Sequence, residues 1–407
     1  MESFTQSLFE FNEDERAYLR EGLALQKRDL SPFATRDDQA IYERTEPLDE
    51  DMALVRPPFV RDVDRILNNA FYNRCMDKTQ VFPFYKNDDL TRRSFHLQLV
   101  SQNARKLGAA LRLNAHLIEA IALGHDLGHT PFGHCGEHLL SDLYHERTGR
   151  YFNHNVHSVR VLRTIARRNL SLQTLNGILC HCGEKAFECY RPAPCNTFEE
   201  LDAMMQRCYT QKGASQYLRP STLEGCVVRI CDILAYLGKD RQDAVRIKVL
   251  TEEEYELSGS VLGKTNGDFI RNAMANIIKN SIGKSYLAMD EPVFKAILDT
   301  KDLNSRTIYH ADQAHITFDR HIVYMMGRLY ERLLEDVKSG DENTFIYRHH
   351  INSWQMKDNE AYQNCDPNDL VVDYIASMTD EYLVDLFNYL FPDEAVSEEE
   401  LYVPYFR

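Results

Sequence analysis

The stretch Ala120-Ile121-Ala122-Leu123-Gly124-His125-Asp126-Leu127-Gly128-His129-Thr130-Pro131-Phe132-Gly133-His134 decides how this chain is read. It brings an apolar helix to an end in an adjacent His-Asp pair, with two further histidines just beyond. An apolar helix interior tolerates ionisable side chains only when something pairs them, and a metal ion is one such partner. Upstream, Leu117, Ile118, Ile121 and Ala122 keep helical spacing, with Asn114 as the expected N-cap. His125 continues the face of Asn114, Ile118 and Ile121. Gly124, Gly128 and Pro131 then interrupt the helix, so the histidines fall where the chain turns. One histidine here would read as a satisfied core residue. The pair with His129 and His134 reads as a metal site only if further ligands lie elsewhere.

Such ligands are present. Leu97, Val100, Ala104, Leu107 and Leu111 alternate spacings of three and four, which predicts an amphipathic helix over Arg93–Leu111. His96 lies beside that stripe, one turn before Val100. Far downstream, Ser221-Thr222-Leu223-Glu224 reads as a capping box opening another helix. Asp232 interrupts its apolar positions Val227, Val228, Ile230, Cys231, Ile233, Leu234 and Leu237. Tyr236, Asp240 and Asp243 share the face of Asp232. His96, His125, Asp126 and Asp232 thus offer two imidazoles and two carboxylates from three helices. That donor set suits a divalent ion such as Mn²⁺, Mg²⁺ or Fe²⁺ with positions left open to water.

In the order His96, His125-Asp126, Asp232 the chain resembles the HD-domain metal-dependent phosphohydrolases, and more narrowly their deoxynucleoside triphosphate triphosphohydrolase (dGTPase-like) family. The likeness runs from Leu30-Ser31-Pro32-Phe33-Ala34-Thr35 through Asp77-Lys78-Thr79-Gln80-Val81-Phe82. It continues through Pro131-Phe132-Gly133-His134-Cys135-Gly136-Glu137 and Phe152-Asn153-His154-Asn155, then Asp232-Ile233-Leu234-Ala235-Tyr236 and Asp373–Asp380. A bare His-Asp pair is a weak motif, whereas Lys-Thr-Gln-Val-Phe followed by Pro-Phe-Gly-His-x-Gly-Glu is specific. One departure stands out. Many relatives carry a Lys-His pair after Gly-Ile-Leu, but here the run is Gly177-Ile178-Leu179-Cys180-His181-Cys182.

The resemblance implies an all-α HD fold with an additional, mostly helical C-terminal region. It also implies hydrolysis of deoxynucleoside triphosphates to deoxynucleoside and tripolyphosphate. His134 and Glu137 match the family's catalytic His and Glu, an imidazole that titrates in the useful range beside a carboxylate that fixes its tautomer. His129 and His154 match positions that contact phosphates. Arg93, on the face of His96, offers a guanidinium fork to phosphate oxygens, and Lys78 reads either as a further cation or as an exposed lysine. Tyr236 is expected against the C2′ edge of the sugar, with Gln80 or Asp240 on the 3′-hydroxyl; a ring there rejects the extra ribose hydroxyl. Family members are commonly homo-oligomers, often with effector nucleotides at their interfaces. The alternatives are an HD phosphohydrolase acting on a nucleoside monophosphate or signalling nucleotide, and a nucleotide-sensing regulatory protein.

Composition agrees. With 407 residues, 43% hydrophobic and 27% charged, the chain can bury a large core. It has no apolar run of membrane-spanning length, and Met1–Glu15 is polar and acidic, so a cytoplasmic protein without a membrane partner is expected. A net charge of −15 argues against a general nucleic-acid surface, so a polyanionic substrate needs a local basic pocket. Ten cysteines are scattered. The group Cys180, Cys182, Cys189 and Cys195 lacks the C-x-x-C pair of a typical zinc site. Arg160, Arg163, Arg167 and Arg168 read as a solvated helix face, or else as an effector or subunit contact. Residues 1–60 are expected as an N-terminal extension, 61–250 as the catalytic HD core, and 251–407 as an acidic helical region completing the fold and making oligomer contacts. No strand–helix–strand rhythm predicts a parallel sheet.

Overall fold

A computed structural model describes residues 10–47, 49–182, 185–256, 260–309, 317–353 and 356–405. Residues 1–9 of the expected N-terminal extension lie outside them. The architecture is all-α, as expected, and the principal helices are α1 (Pro58–Leu67), α2 (Arg93–Ala110), α3 (Ala115–Gly124), α4 (Gly133–Thr148), α5 (His154–Arg160), α6 (Leu172–Leu179), α7 (Leu223–Arg246), α8 (Asn266–Ser281), α9 (Val323–Ser339), α10 (Pro367–Ser377) and α11 (Asp380–Leu390). Two short strands, β1 (Cys189–Tyr190) and β2 (Leu287–Ala288), pair antiparallel with Cys189 opposite Ala288. No described helix is long and apolar enough to cross a membrane.

Helix α3 is the hub. It is mostly apolar, begins at the Asn114 side chain, which accepts from the N–H groups of His116 and Leu117, and ends at Gly124. It packs against α1, α2, α6 and α7, and its Leu117, Ile118, Ile121 and Leu123 lie in the larger of two apolar cores. A second core gathers α9, α10 and α11 with Leu140 and Tyr144 of α4. The His-Asp turn and the start of α4 therefore lie where the two cores meet.

The start of α7 differs from expectation. Thr222, not Ser221, caps it by accepting from Gly225 N–H at 3.0 Å. Glu224 forms no capping box; it is fully buried and accepts from the Thr35 N–H, the Thr35 hydroxyl and the Asn114 N–H. Long-range demand for a buried acceptor outweighs local capping here. The four arginines do not form one solvated helix face: Arg167 is exposed, but it and Arg168 lie beyond the helix, and Arg160, Arg163 and Arg168 are half-buried. Arg160 is held by Asp373, Arg163 by Glu43 and Asp202, and Arg167 and Arg168 donate to the carbonyls of Asp358 and Asn68.

The C-terminal helices reach back to the His-Asp turn. Lys78 is buried, against both readings of it, and its ammonium donates to the carbonyls of His129 and Ala376. Asp380, the first residue of α11, accepts from Thr79 N–H (3.1 Å), Thr79 Oγ1 (2.7 Å) and Phe132 N–H (2.9 Å). Phe132 needs that support, because it holds a left-handed φ of 60° that a bulky side chain rarely adopts. Its ring stacks on Phe84 at 5.6 Å. Gly128 secures the other side of the turn: a Cβ there would lie 2.2 Å from Ser158 N and 2.5 Å from the His154 carbonyl, so only glycine lets α5 approach.

Replacing Asp380 by Ala leaves three buried donors without an acceptor. The expected loss of stability is about 3 kcal/mol, the order found when a buried charged hydrogen-bond partner is removed. Chemical denaturation checks this; a loss below about 0.5 kcal/mol would mean that Asp380 does not hold the Phe132 turn.

Candidate active site

His96 reaches the site from α2, His125 and Asp126 from the turn after α3, and Asp232 from the middle of α7; all four are buried. His96 Nε2 lies 2.9 Å from Asp232 Oδ1, and His125 Nε2 lies 3.6 Å from Asp126 Oδ1 and 3.8 Å from Asp232 Oδ1. His125 Nδ1 donates to the Ala122 carbonyl at 2.7 Å, which leaves Nε2 as the atom facing the carboxylates. That nitrogen is buried and has no hydrogen-bond partner among the described residues. Burial lowers the His125 pKa to about 4, so the ring is neutral with a lone pair directed into the cluster. An unpartnered imidazole nitrogen beside two carboxylates is what a divalent cation requires, and the residues fit such an ion.

Asp126 stays ionised. Burial pushes its carboxyl upward, but His125 and Arg93 more than reverse that and hold it well below the usual carboxylate range. The Arg93 guanidinium is buried, paired with Asp126 Oδ2, and donates to the Thr79 and Gln80 carbonyls at 3.3 and 3.4 Å. It is therefore held against Asp126 and these two carbonyls, and its side chain is 2% accessible.

A second group adjoins the first. Glu137, on the first turns of α4, is buried and bridges two imidazoles. His134 Nδ1 lies 3.0 Å from Oε2, and His154 Nδ1 lies 2.8 and 2.9 Å from the two carboxylate oxygens. Burial would raise the Glu137 carboxyl, yet His154 and His134 keep it well below the usual range. His134 is exposed, with 58% of its side chain accessible, while His154 is buried. An accessible imidazole hydrogen-bonded to a buried carboxylate has the form of a proton-transfer pair. His129 stacks on His154 with ring centroids 4.5 Å apart, and its buried Nδ1 has no hydrogen-bond partner among the described residues. Burial, then Arg93, drives its pKa well below the ordinary imidazole value.

Gln80, Tyr236 and Asp240 lie on the elements that carry these groups. Gln80 Oε1 is buried without a hydrogen-bond partner among the described residues. Tyr236 is half-buried, one turn after Asp232. Asp240 is buried two turns on and accepts from the Tyr309 hydroxyl at 2.7 Å.

Reading the sequence missed His181. It follows α6, is buried, and lies 3.6 Å from Asp126 Oδ1 and 3.2 Å from His154 Nε2. Its only signal in the sequence is the run Leu179-Cys180-His181, in which Cys180 stands where a lysine is expected. Cys180 itself is fully buried in the larger core. No cysteine joins a metal-binding cluster among the described residues, and none of the ten is paired in a disulfide.

Residues 93–237 match the HD domain family, and residues 287–389 match the phosphohydrolase-associated domain family. Similar proteins include a deoxyguanosinetriphosphate triphosphohydrolase-like protein of Caldanaerobacter subterraneus subsp. tengcongensis, 30% identical over 379 residues, covering 92% of this chain and 95% of the relative. Another of the same description, from Desulfatibacillum aliphaticivorans, is 30% identical over 373 residues, covering 89% of this chain and 94% of the relative. Among solved structures, a phosphohydrolase from Bacteroides thetaiotaomicron matches at a TM-score of 0.41 and 15% identity, over 81% of this chain and 69% of that one.

Burial raises the Asp240 pKa to about 7. The folded chain thus holds a proton there that the unfolded chain releases near pH 4, so Asp240 costs increasing stability as pH rises from about 4 to 7. Asp240→Asn is neutral throughout and still accepts from Tyr309. Its melting temperature should exceed that of the parent chain at pH 8, with the gap closing toward pH 4.5. A gap independent of pH would contradict the buried-carboxyl account.

Proposed function

The chain belongs to the HD-domain, deoxyguanosinetriphosphate triphosphohydrolase-like family, and from that membership we propose that it hydrolyses deoxynucleoside triphosphates, dGTP or several dNTPs, to the deoxynucleoside and tripolyphosphate. The observation that supports this reading best is the adjacency of two sets of groups. One is the buried cluster His96, His125, Asp126 and Asp232, and the other is the bridged chain His134–Glu137–His154.

His96, His125, Asp126 and Asp232 would hold a divalent ion, Mn²⁺, Mg²⁺ or Fe²⁺. Such an ion supplies Lewis acidity that withdraws charge from the phosphate nearest the sugar and makes water more acidic. The chain's own residues do the rest. Glu137 accepts from His134 Nδ1 and fixes the tautomer, which leaves Nε2 to exchange a proton with the leaving 5′-oxygen. Water oxygen bonds to the first phosphorus, the bond from that phosphorus to the 5′-oxygen breaks, and the proton lost by water balances the one gained by the sugar. His129, with its unpartnered Nδ1, and His154 bind phosphate oxygens, while Arg93 fixes Asp126 close to them. The unpartnered Gln80 Oε1 accepts from the 3′-hydroxyl, with Asp240 on the same side of the sugar. Tyr236 packs on the C2′ edge and leaves a 2′-hydroxyl without space or partner.

Phosphorus NMR of a dGTP digest in Mn²⁺ tests this. Tripolyphosphate and deoxyguanosine are expected with no dGMP, and dGMP with pyrophosphate would overturn the proposed bond cleavage. His134→Ala should retain its bound Mn²⁺ while turnover falls on the order of 10²–10⁴-fold, the usual contribution of an acid–base group. Loss of the ion together with turnover would make His134 a ligand.

A further inference from the structure

An acidic chain must still admit a polyanion. Acidic residues outnumber basic ones by 62 to 47, and the two cations first considered for phosphate are committed elsewhere. Arg93 is paired with Asp126, and Lys78 donates to the carbonyls of His129 and Ala376. A surface near the site is different. Lys185, Arg191, Arg219 and Lys284 are all exposed, and none of the four has an ion-pair partner among the described residues. Tyrosine rings hold three of them instead. Arg191 and Lys284 lie over Tyr286, 4.0 and 5.4 Å from the ring centroid, and Lys185 lies over Tyr217 at 4.4 Å. A ring face holds a cation in place and leaves its charge uncancelled, whereas a carboxylate neutralises it. Glu188 is also exposed but forms no ion pair with these cations.

The backbone gathers these cations. Tyr190 of β1 pairs with Leu287 of β2, so Arg191 and Tyr286 follow at the next register position. Ala193 N–H donates to the Pro220 carbonyl at 2.9 Å, which sets Arg219 beside the same run. One buried guanidinium then ties the surface to the site. Arg229 donates to the carbonyls of Gln216 (3.1 Å), Leu218 and Lys185 (3.5 Å), which carry the cationic loops, and to that of Cys180 (3.0 Å), next to His181. Arg229 precedes Asp232 by less than one turn of α7, about 4.5 Å along the axis. Lys185 follows His181 by four residues, at most about 14 Å of extended chain. We propose that Lys185, Arg191, Arg219 and Lys284 form a steering surface that draws the triphosphate of the incoming nucleotide to the site against the net charge of the chain. Their field extends about 10 Å at 0.1 M salt and about 30 Å at 0.01 M, so it reaches the site at low ionic strength. Cations outside the contact region act on association and its salt dependence.

The inference rests on the proposed nucleotide substrate, and the test separates the two. Full-length protein in Mn²⁺ is mixed in a stopped-flow fluorimeter with the triphosphate of 2-aminopurine deoxyriboside, whose base is the fluorophore and whose sugar and phosphates are unmodified. The parent's association rate is expected to fall as salt rises, although a net charge of −15 acting alone would make it rise. The variant Lys185→Gln/Arg191→Gln/Arg219→Gln/Lys284→Gln is expected to associate about tenfold more slowly at about 0.02 M salt, with its dissociation rate unchanged. The gap should close above about 0.5 M salt. Equal association rates at low salt, or a gap that persists at high salt, would overturn steering and leave the substrate reading intact. Equal rates together with loss of the parent's retention on immobilised oligothymidine would assign the surface to nucleic-acid phosphates and likewise overturn it. A parent that binds no analogue would overturn the substrate reading and steering together. The parent's salt dependence needs no variant, so a poorly folding substitution does not decide the matter.

Discussion

The arrangement of the site depends on one buried, ionised carboxylate, Asp126. An isolated carboxylate in such a place costs several kcal/mol in lost hydration. Here the Arg93 guanidinium takes Oδ2, while the rings of His125, His154 and His181 surround Oδ1. Each of these groups comes from a different stretch of chain, so the charge cannot be satisfied until α2, α3, α5 and the end of α6 are packed. Asp126 therefore couples the folding of four elements to one point. The cation proposed there relieves the remaining crowding of lone pairs, which ties ion binding to stability.

The C-terminal region is part of the same mechanical unit. Asp380 holds both Thr79 and the left-handed Phe132, and Lys78 joins the His129 carbonyl to that of Ala376. The turn that presents His129 and His134 is thus supported from residues 376–380, some 250 positions away in the chain. This gives a physical reason for the Asp373–Asp380 motif, whose Asp380 acts on the turn through Thr79 and Phe132. Asp373, itself buried, contributes in a different way, by holding the half-buried Arg160 at the end of α5 and so fixing the helix that carries His154.

Local periodicity made much of this legible. Asn114 caps α3 as its spacing predicts, and His96 and Asp232 lie on inward faces because the apolar residues around them define those faces. What was not legible depends on contacts distant in sequence. Glu224 reads locally as a capping residue, but its partners are Thr35 and Asn114, 189 and 110 residues away. Arg160 reads as solvated because Asp373, its partner, is 213 positions distant. His181 is a single histidine between two cysteines with no periodicity of its own. It reaches Asp126 because Gly177 lets α6 lie against Ile121 of α3, where an added Cβ would meet Ile121 Cδ1 at 2.4 Å.

Location of the ion tests the central claim most directly. Crystals soaked in Mn²⁺ and measured at the manganese absorption edge reveal the ion as an anomalous peak. The expected strongest peak lies within bonding distance of His96 Nε2, His125 Nε2, Asp126 and Asp232. A peak found only among His129, His134, Glu137 and His154, which also converge closely enough to hold an ion, would contradict the assignment of ligands and proton-transfer residues alike.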